Sequence, residues 1–339
     1  MAGLRSLPGQ LLDRGPIEAL ARFGLPEPEQ IEVITAGLMN RNWKVSCAGR
    51  HLALKQVLDV GADQARFQHR VSGQLNEVGL PVPVPLHTPD GETLVETTDG
   101  FWSASPWVQG ETMPASIWAL DEVRMVGELL GRVHQELRRR LGPVPHSGEV
   151  DVTSPHKALD KFAKYRRAAL AEPRDGFDEL VVSVLVERAE LVERYSPERP
   201  IAGVVTPMGW CHGDFHDLNL LWEGGRVSAV LDWDRLGARP VAGEVVRTAT
   251  LCFAEESGLD LERVAAFVGA YCEVTGMPAG HLADSAHRLW WERVCDVWQL
   301  GRHYDRQDCS CDHLFRSASA LVPWWCTYRD KAQAALSGQ

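Results

Sequence analysis

The stretch HGDFHDLNLLW, His212 to Trp222, follows the apolar residues MGWC and is followed after eight residues by LDWD, Leu231 to Asp234. Two histidines, two aspartates and one asparagine fall within its first eight positions. The segments NLLW and VSAVLDWD are separated by the turn residues EGGR, which predicts a β-hairpin directly after the polar loop. The sequence therefore predicts that ligand-type side chains collect at the end of a short strand.

The hairpin indicates how these side chains are placed. Asp214 lies in the loop after the strand MGWCH, Asn219 begins the next strand, and Asp232 ends the partner strand. Three oxygen-bearing side chains are then expected at one end of a small sheet. Single Asn and Asp oxygens, without thiolates or a dense set of imidazoles, favour Mg²⁺, which takes its remaining ligands from water and substrate phosphates.

The spacing of these residues also matches a known catalytic arrangement. Asp214 and Asn219 are spaced as in D-x-x-x-x-N, which is the spacing in the catalytic loop of protein kinases. In that arrangement the first Asp orients the attacking hydroxyl, and the Asn and a later Asp hold the metal. Asp232 of LDWD corresponds in role to the later Asp, so the pattern predicts phosphoryl transfer.

Bulk composition narrows the class of protein. The 339 residues are 45% hydrophobic and 24% charged, which is typical of a soluble globular chain long enough for two lobes. The net charge of −11 argues against nucleic acid or an anionic membrane as partner. No run approaches the roughly 20 apolar residues that span a bilayer, and the N-terminus lacks the apolar core of a signal peptide. We therefore expect a cytoplasmic protein with no nucleic-acid or membrane partner.

Periodicity predicts an α+β fold of two lobes. After a leading helix, IEVIT, WKVSCA and HLALKQV predict an antiparallel meander, GADQARFQHRVSGQLNEVG predicts a helix, and two strands follow across Asp99-Gly100. Beyond Gln109-Gly110 the chain is mainly helical except around the HGDFHDLN and LDWD segments. We expect a small, mostly β lobe over residues 1–108 and a larger helical lobe over 109–339.

In this order of elements the chain resembles the aminoglycoside phosphotransferase and choline kinase family of small-molecule kinases. The resemblance rests on HGDFHDLN with LDWD, on TAGLMNRNWKV as a nucleotide loop, on LALKQV, and on GLPVPVP and GELLGRVHQEL, and it covers residues 30 to 250. It implies a bilobal protein-kinase-like fold and an enzyme that uses ATP and Mg²⁺. The acceptor would be a hydroxyl of a small molecule, an antibiotic or related natural product, or else a metabolite alcohol such as homoserine or choline.

The resemblance also implies a role for each matching residue. Asp214 would be the catalytic base, and Asn219 and Asp232 the metal ligands. Lys55 would bind the α- and β-phosphates, and Glu244 would hold the catalytic loop. The other residues expected at the nucleotide are Gly37, Asn40, Gln68, Ser105, Trp107 and Val108.

One position departs from the family pattern. The family pairs its lysine with a helical Glu, and here RFQHRV places Gln68 at that position. Glu77 or Asp63 could supply the missing carboxylate, and a pseudokinase that binds nucleotide without transfer is an alternative. We interpret Asp234 as a turn residue rather than a second metal ligand.

Other chemistry is open to the same residues. His212, Asp214 and His216 form HxDxH, a pattern that could bind zinc in a metallohydrolase, although supporting ligands are not evident. Cys211 could be a nucleophile, but its place in an apolar strand favours a buried thiol. Near the C-terminus, Cys309 and Cys311 with His303, Asp308 and His313 could form a zinc site, without the paired spacing that makes such a prediction strong.

Overall fold

The protein is described here by a computed structural model that covers residues 14–35, 40–144, 148–171, 176–205, 207–256 and 258–339. Gly37, predicted for the nucleotide loop, lies outside these residues. The described strands are β1 Gln30–Ile34, β2 Arg41–Cys47, β3 Arg50–Val57, β4 Val95–Thr97, β5 Gly100–Pro106, β6 Glu111–Thr112, β7 Gly148–Val150, β8 Gly203–Val205, β9 Met208–Cys211, β10 Leu220–Glu223, β11 Arg226–Val230, β12 Gly237–Pro240, β13 Ala254–Glu255 and β14 Gly258–Leu259.

The helices carry most of the chain after β6. They are α1 Arg14–Arg22, α2 Ala62–Asn76, α3 Leu120–Leu141, α4 Pro155–Ala171, α5 Gly176–Tyr195, α6 Val241–Cys252, α7 Leu261–Thr275, α8 Ala279–Cys295, α9 Trp298–Leu300, α10 Asp312–Thr327 and α11 Arg329–Leu336. A π-helical turn, Gly301–Asp305, follows α9 directly. The predicted class, an antiparallel sheet region followed by a mainly helical region, is confirmed.

The chain divides into two compact units. The first comprises residues 1–113 and 212–236, and the second comprises 114–211 and 237–339. The polar loop and its hairpin therefore belong to the same unit as the N-terminal sheet. The predicted lobe boundary at residue 108 stays a prediction.

The first unit is built on a five-stranded antiparallel sheet in the order β1-β2-β3-β5-β4. One face of the sheet packs against α1 through Leu20, Leu54 and the rings of Trp43 and Trp102, whose centroids lie 5.0 Å apart. Because successive strand residues point to opposite faces, burial of Leu54 places Lys55 on the other face. Sequence alternation in β3 thus turns its lysine away from the core.

Local backbone bonds attach the β10–β11 hairpin to this unit. β10 pairs with β11 and with β6, and Val230 N donates to Pro81 O at 2.7 Å in the GLPVPVP segment. The hairpin predicted from EGGR is confirmed. It fixes the two chain segments on which Asn219 and Asp232 lie.

The second unit is a helical assembly in which α3 packs closely along α7. A Cβ atom on Gly127 of α3 would lie 2.3 Å from the backbone oxygen of Phe267, so only glycine permits this approach. β9 pairs with β12, which aligns the chain on either side of the polar loop. Among the described residues, no helix has both the length and the apolar content required to cross a membrane.

A buried polar network joins three helices of the second unit. His134 Nε2 lies 2.7 Å from Glu244 Oε2, and His134 Nδ1 lies 2.9 Å from the Tyr271 hydroxyl. Burial with paired hydrogen bonds makes such a network a constraint on helix packing. The predicted contact between Glu244 and the catalytic loop stays a prediction.

Two strand pairs were not predicted: β7 with β8, and β13 with β14. The chain after Gly243 was expected to be helical throughout, but β13 and β14 form a short hairpin after α6. The helix ends where Phe253 O accepts from Asp260 N at 3.0 Å, a bond that brings the chain back on itself. α7 then begins with Asp260 as its cap, accepting from Arg263 N at 3.1 Å.

Candidate active site

The polar loop is held by a closed set of hydrogen bonds among the predicted site residues. Asn219 Nδ2 donates to Asp214 O at 2.8 Å, and Leu231 N donates to Asn219 O at 2.8 Å. His212 completes the set, because Asp214 N donates to its Nδ1 at 3.2 Å and its Nε2 lies 2.8 Å from Leu231 O. The chain near Asp214, Asn219 and Asp232 is thus fixed as one piece.

The hydrogen bonds of His212 also determine its chemical state. A backbone N–H can only donate and a carbonyl can only accept, so Nδ1 is unprotonated and Nε2 carries the hydrogen. The ring is fully buried and lies 4.5 Å, centroid to centroid, from Trp233. Both ring nitrogens are used within the protein, so the HxDxH zinc interpretation lacks His212 as a ligand. The structural role expected of His212 fits these contacts.

The neighbouring imidazole of His216 lies between two carboxylates. Its Nε2 is 3.6 Å from Asp214 Oδ2 and its Nδ1 is 3.7 Å from Asp217 Oδ1. Partial burial opposes protonation, but hydrogen bonds and charge from Asp214 and Asp217 outweigh it and raise the pKa of His216 to about 9. The raised pKa favours the protonated form of His216 at neutral pH, beside the predicted base.

We expect the His216 cation to stabilise the fold in a defined pH window. Its folded pKa exceeds its ordinary value of 6.5, so the stabilisation is complete below pH 6.5 and is lost as pH rises through 9. The His216→Gln variant should unfold more easily than the wild type at pH 6, by up to about 3 kcal/mol. Urea unfolding at pH 6 and 9.5 checks this, and a stability difference that does not shrink with pH would contradict it.

Asp232 occupies a left-handed backbone position. Its φ is 58° and ψ is 68°, a conformation in which a non-glycine residue is uncommon and a sign of functional constraint. Its Oδ1 lies 3.9 Å from Lys55 Nζ. Partial burial and the nearby charges of Asp234 and Asp214 raise the pKa of Asp232, against the opposing effect of Lys55. A second cation at this position would relieve that crowding of negative charge.

Asp234 is the main partner of Lys55, a contact that its expected role as a turn residue did not include. Lys55 Nζ donates to both carboxylate oxygens of Asp234, at 2.7 and 2.6 Å. Asn40 Nδ2 donates to the same carboxylate at 2.5 Å, while Asn40 Oδ1 accepts from Leu58 N. Asp234 does lie in a 3₁₀ turn, but its side chain reaches the sheet. Sequence reasoning missed this contact, although the D-x-D spacing of LDWD was a signal for a second carboxylate at the site.

Glu77 and Asp63 were the alternatives expected to supply the carboxylate beside Lys55. Asp234 supplies it instead. Asp63 Oδ1 lies instead 3.6 Å from the Arg66 guanidinium on the same helix, and Glu77 follows the C-terminal end of α2. The lysine is paired with an acid at residue 234, which is 179 positions further along the chain.

Gln68 of α2 supports the loop rather than the lysine charge. Its Nε2 donates to the backbone oxygen of Asp234 at 2.8 Å, and the residue is only 3% exposed. An amide is required for this bond because a carboxylate cannot donate to a carbonyl. The glutamine at this position thus matches a site in which Asp234 supplies the negative charge.

We expect Gln68→Glu to weaken the site although it restores the family's usual residue type. The new carboxylate would face the Asp234 carbonyl in a buried position, and the cost should be about 1–3 kcal/mol of unfolding free energy. Gln68→Leu, which loses the bond without adding charge, is the matched comparison and should be less destabilised. Denaturant unfolding and ATP titration check this; wild-type stability and affinity in Gln68→Glu would contradict it.

The segment predicted to contact adenine, residues 105–108, spans the end of β5, which pairs with β3 in the sheet. Ser105 lies in register with Ala53 on β3, and Trp107 N donates to His51 O at 2.9 Å. The Trp107 ring lies under the Lys44 ammonium, with Nζ 4.9 Å from the ring centroid. Trp107 and Val108 are half-buried, so this edge is accessible to a ligand. Its role at a nucleotide stays a prediction.

Two of the other roles considered above do not fit the structure of the second unit. Cys211 is fully buried, and burial raises the pKa of its thiol well above the usual range, which argues against a nucleophile. The predicted zinc set at the C-terminus is not gathered as a whole, because Cys311 is buried and Asp308 pairs with Arg302.

This arrangement can be compared with known proteins. The sequence model of the phosphotransferase enzyme family, APH, matches residues 30–281. This range includes every predicted site residue from Gly37 to Glu244. The chain belongs to this phosphotransferase family. The predicted resemblance is thereby confirmed.

A curated relative is the stress response kinase A of Salmonella choleraesuis. It is 28% identical to this chain over 183 residues, which cover 52% of this chain and 49% of the relative. The chain thus matches about half the length of such relatives.

Solved structures with the same fold are more distant in sequence. Spectinomycin phosphotransferase APH(9)-Ia, in complex with ADP and spectinomycin, has a TM-score of 0.63 at 14% identity and covers 98% of this chain and 100% of its own. A microcompartment-associated aminopropanol kinase has a TM-score of 0.57 at 16% identity and covers 91% and 96%. These likenesses show that the chain has the APH kinase-like fold.

Proposed function

We propose that this family member transfers the γ-phosphate of ATP to a hydroxyl group of a small molecule. The observation that carries the proposal is the bonded set in the first unit, in which Asp214, Asn219 and the chain beside Asp232 are tied together while Lys55 reaches over Asp232 and Asp234. This combination of base, amide, carboxylate and ammonium supplies each protein part that phosphoryl transfer requires.

The residues fit a magnesium ion on the chemistry of their donors. The amide nitrogen of Asn219 is bonded to Asp214 O, which reserves its oxygen for a cation, and Asp232 offers a carboxylate that is 44% exposed. Two carboxylates, Asp232 and Asp234, lie within 4 Å of the Lys55 ammonium, and the charge of Asp214 also acts on Asp232, so the site has negative charge to offset. Oxygen ligands of this kind suit Mg²⁺, which Asn219 and Asp232 would hold and which would supply positive charge to offset that of the transferring phosphate.

Asp214 is the group we assign to proton transfer. It would accept the proton of the acceptor hydroxyl as the oxygen attacks the γ-phosphorus, while the bond from that phosphorus to the β,γ-bridging oxygen breaks and ADP leaves. The bond from Asp214 N to His212 and the contact with His216 hold this carboxylate in place. Holding the base close to the reacting hydroxyl is the main contribution expected from the loop.

Lys55 donates to both carboxylate oxygens of Asp234, and this anionic partner resembles a phosphate group in charge. With ATP present, the ammonium would move its contact, wholly or in part, from Asp234 to the α- and β-phosphates. Asp234 would keep the lysine oriented before the nucleotide arrives, which is the task of the family's helical Glu. The presence of this partner argues against the pseudokinase alternative that Gln68 had raised.

The acceptor we propose is an antibiotic or related natural product, and a metabolite alcohol is the second candidate. The structural neighbours named above include a spectinomycin phosphotransferase and an aminopropanol kinase, so both classes of acceptor occur on this fold. The net charge of −11 suits an amine-bearing acceptor.

The test is a screen of hydroxyl compounds with γ-labelled ATP and Mg²⁺. Aminoglycosides, spectinomycin and macrolides form one panel, and choline, homoserine and amino alcohols form the other. Label in a compound of the first panel supports the full proposal, and label only in the second replaces the acceptor class. Nucleotide binding without transfer to any compound would support the pseudokinase and overturn the proposed activity.

A further inference from the structure

Two clusters of metal-ligand side chains occur among the described residues, both in the second unit. One is His134, Cys211 and Glu244, and the other is His303, Cys309 and Asp312, and in each the ligand atoms lie within 4.8 Å of one another. In the first, both ring nitrogens of His134 are hydrogen-bonded and all three residues are buried. That cluster is a structural network with no nitrogen left for a metal.

The second cluster differs in access and in the use of its donor atoms. His303 Nδ1 already lies 3.0 and 2.9 Å from the two carboxylate oxygens of Asp312. Cys309 is exposed, and His303 and Asp312 are half-buried. An ion can therefore reach these three atoms from solvent.

The imidazole of His303 is held in a fixed orientation. It lies on the π-helical turn Gly301–Asp305, a local irregularity that is frequent at functional sites. Its ring stacks on Phe177 with centroids 4.6 Å apart and meets the ring of Tyr304 at 4.5 Å. Tyr304 is in turn fixed by a 2.6 Å bond from its hydroxyl to Asp178. The ring does not have to be ordered when an ion binds.

The turn that carries Cys309 is held separately. Asp308 accepts from Ser310 N at 3.0 Å and from Arg302 Nε at 2.8 Å, and these two bonds fix the turn. Gln307, just before it, has a φ of 53° in the left-handed region. The chain thus reverses sharply and brings Cys309 back to His303, six residues earlier.

We propose that His303, Cys309 and Asp312 form a Zn²⁺ site, with water as the fourth ligand. Imidazole nitrogen, thiolate and carboxylate are the three ligand types that zinc accepts, and three protein ligands with one water are typical of an open zinc site. Bond lengths of about 2.0–2.3 Å in a tetrahedron need ligand atoms about 3.3–3.8 Å apart. The present separations run from the 2.9 Å of the bond between His303 and Asp312, which must widen, to at most 4.8 Å, which must close, and side-chain rotations of a few tenths of an ångström to about 1 Å supply both changes.

The charges at the site balance when the ion binds. The thiol of Cys309 forms a bond from sulfur to zinc and releases its proton to solvent, leaving a thiolate. Binding also breaks the hydrogen bond from His303 Nδ1 to Asp312: Nδ1 gives up its proton and offers its lone pair to the ion, while Nε2 carries the hydrogen of the neutral ring. The thiolate and the Asp312 carboxylate then offset the two positive charges of the ion. Mg²⁺ would bind poorly to these three side chains because it prefers oxygen ligands alone.

The experiment is a zinc competition assay on the full chain without an affinity tag. Zn²⁺ is titrated into metal-free protein against a chromophoric chelator, and Co²⁺ is then used to detect a thiolate-to-metal absorption band. We expect one Zn²⁺ per chain with a Kd of about 1 µM or lower, and at least tenfold weaker binding in Cys309→Ser and in Asp312→Asn. Asp312→Asn keeps the shape of the side chain, and circular dichroism shows whether each variant folds.

Two control variants make the assignment specific. His313→Ala removes an exposed histidine beside the cluster, and Asp232→Asn alters the predicted magnesium site in the first unit. Both should bind zinc within about twofold of the wild type and keep the cobalt band. The proposal is overturned if the wild type binds no stoichiometric zinc, or if Cys309→Ser and Asp312→Asn fold and bind it undiminished. These outcomes do not depend on whether phosphoryl transfer is found.

Discussion

Asp214→Asn should lower phosphoryl transfer at least a hundredfold while changing the affinity for ATP by less than about threefold. The amide keeps the size of the side chain but cannot accept the hydroxyl proton, and general-base catalysis contributes roughly 10²–10⁴ in rate. The bonds of the Asp214 backbone to His212 and Asn219 do not involve the carboxylate, so the loop should stay folded. Turnover with the acceptor found in the screen, together with ATP titration calorimetry, measures both quantities.

Asp217→Asn is the matched control for that variant. Asp217 and Asp214 face the same His216 ring at 3.7 and 3.6 Å, so both substitutions remove a negative charge beside the same imidazole. If proton acceptance is the function of Asp214, Asp217→Asn should retain transfer within about tenfold. Equal losses in the two variants would mean that the charge on His216, and not the base, controls the rate.

Gly213→Ala should have the largest effect of any substitution of a non-reacting residue in the loop. Gly213 has a φ of 90°, and a Cβ atom there would lie 2.2 Å from the backbone oxygen of Arg235. The clash falls between backbone atoms that cannot turn aside, so the loop and the 3₁₀ turn after Asp232 must separate. We expect transfer to fall at least a hundredfold and the unfolding free energy to fall by about 3 kcal/mol or more, beyond the 1–3 kcal/mol of backbone strain alone.

Gly49→Ala is the control that distinguishes backbone strain from a steric clash. Gly49 has a comparable φ of 70°, but nothing lies within 4 Å of a Cβ atom at that position. This variant should lose only about 1 kcal/mol, the usual cost of a left-handed alanine, and should keep its activity. If Gly213→Ala behaves like Gly49→Ala in unfolding and turnover, the packing described at Arg235 is wrong.

The parts of the site that follow from local chain geometry could be predicted from sequence. Asp214, Asn219 and Asp232 lie on one loop and one hairpin, and the turn residues EGGR fix which strands pair. The alternation in HLALKQV likewise placed Lys55 on the face opposite the buried Leu54. Residue alternation, turn residues and motif spacing each depend on residues close together in the chain. They can therefore be recognised in a single sequence.

The partner of Lys55 could not be predicted in the same way. Asp234 lies 179 residues away, and it follows the left-handed backbone position of Asp232, which the sequence pattern does not reveal. The helical position of Gln68 therefore pointed to Glu77 or Asp63 as substitutes. Only the bond from Gln68 to the Asp234 backbone explains why an amide is present there.

The C-terminal cluster shows a second limit. The prediction from sequence grouped Cys309 with Cys311, His303, Asp308 and His313, and it omitted Asp312. The π-helical turn and the left-handed Gln307 change which side chains face one another, so His303 meets Asp312 while Cys311 is buried. Backbone irregularities of this kind leave no simple composition signal.

The most direct test of the central claim is a crystal structure with Mn²⁺ and a non-hydrolysable ATP analogue, read by the anomalous signal of manganese. We predict a manganese peak bonded to Asn219 Oδ1 and to the Asp232 carboxylate, at about the 2.0–2.2 Å expected for a cation of this type. The Lys55 ammonium should contact the α- or β-phosphate. A manganese peak away from both residues, or triphosphate bound out of reach of Lys55, would contradict the account.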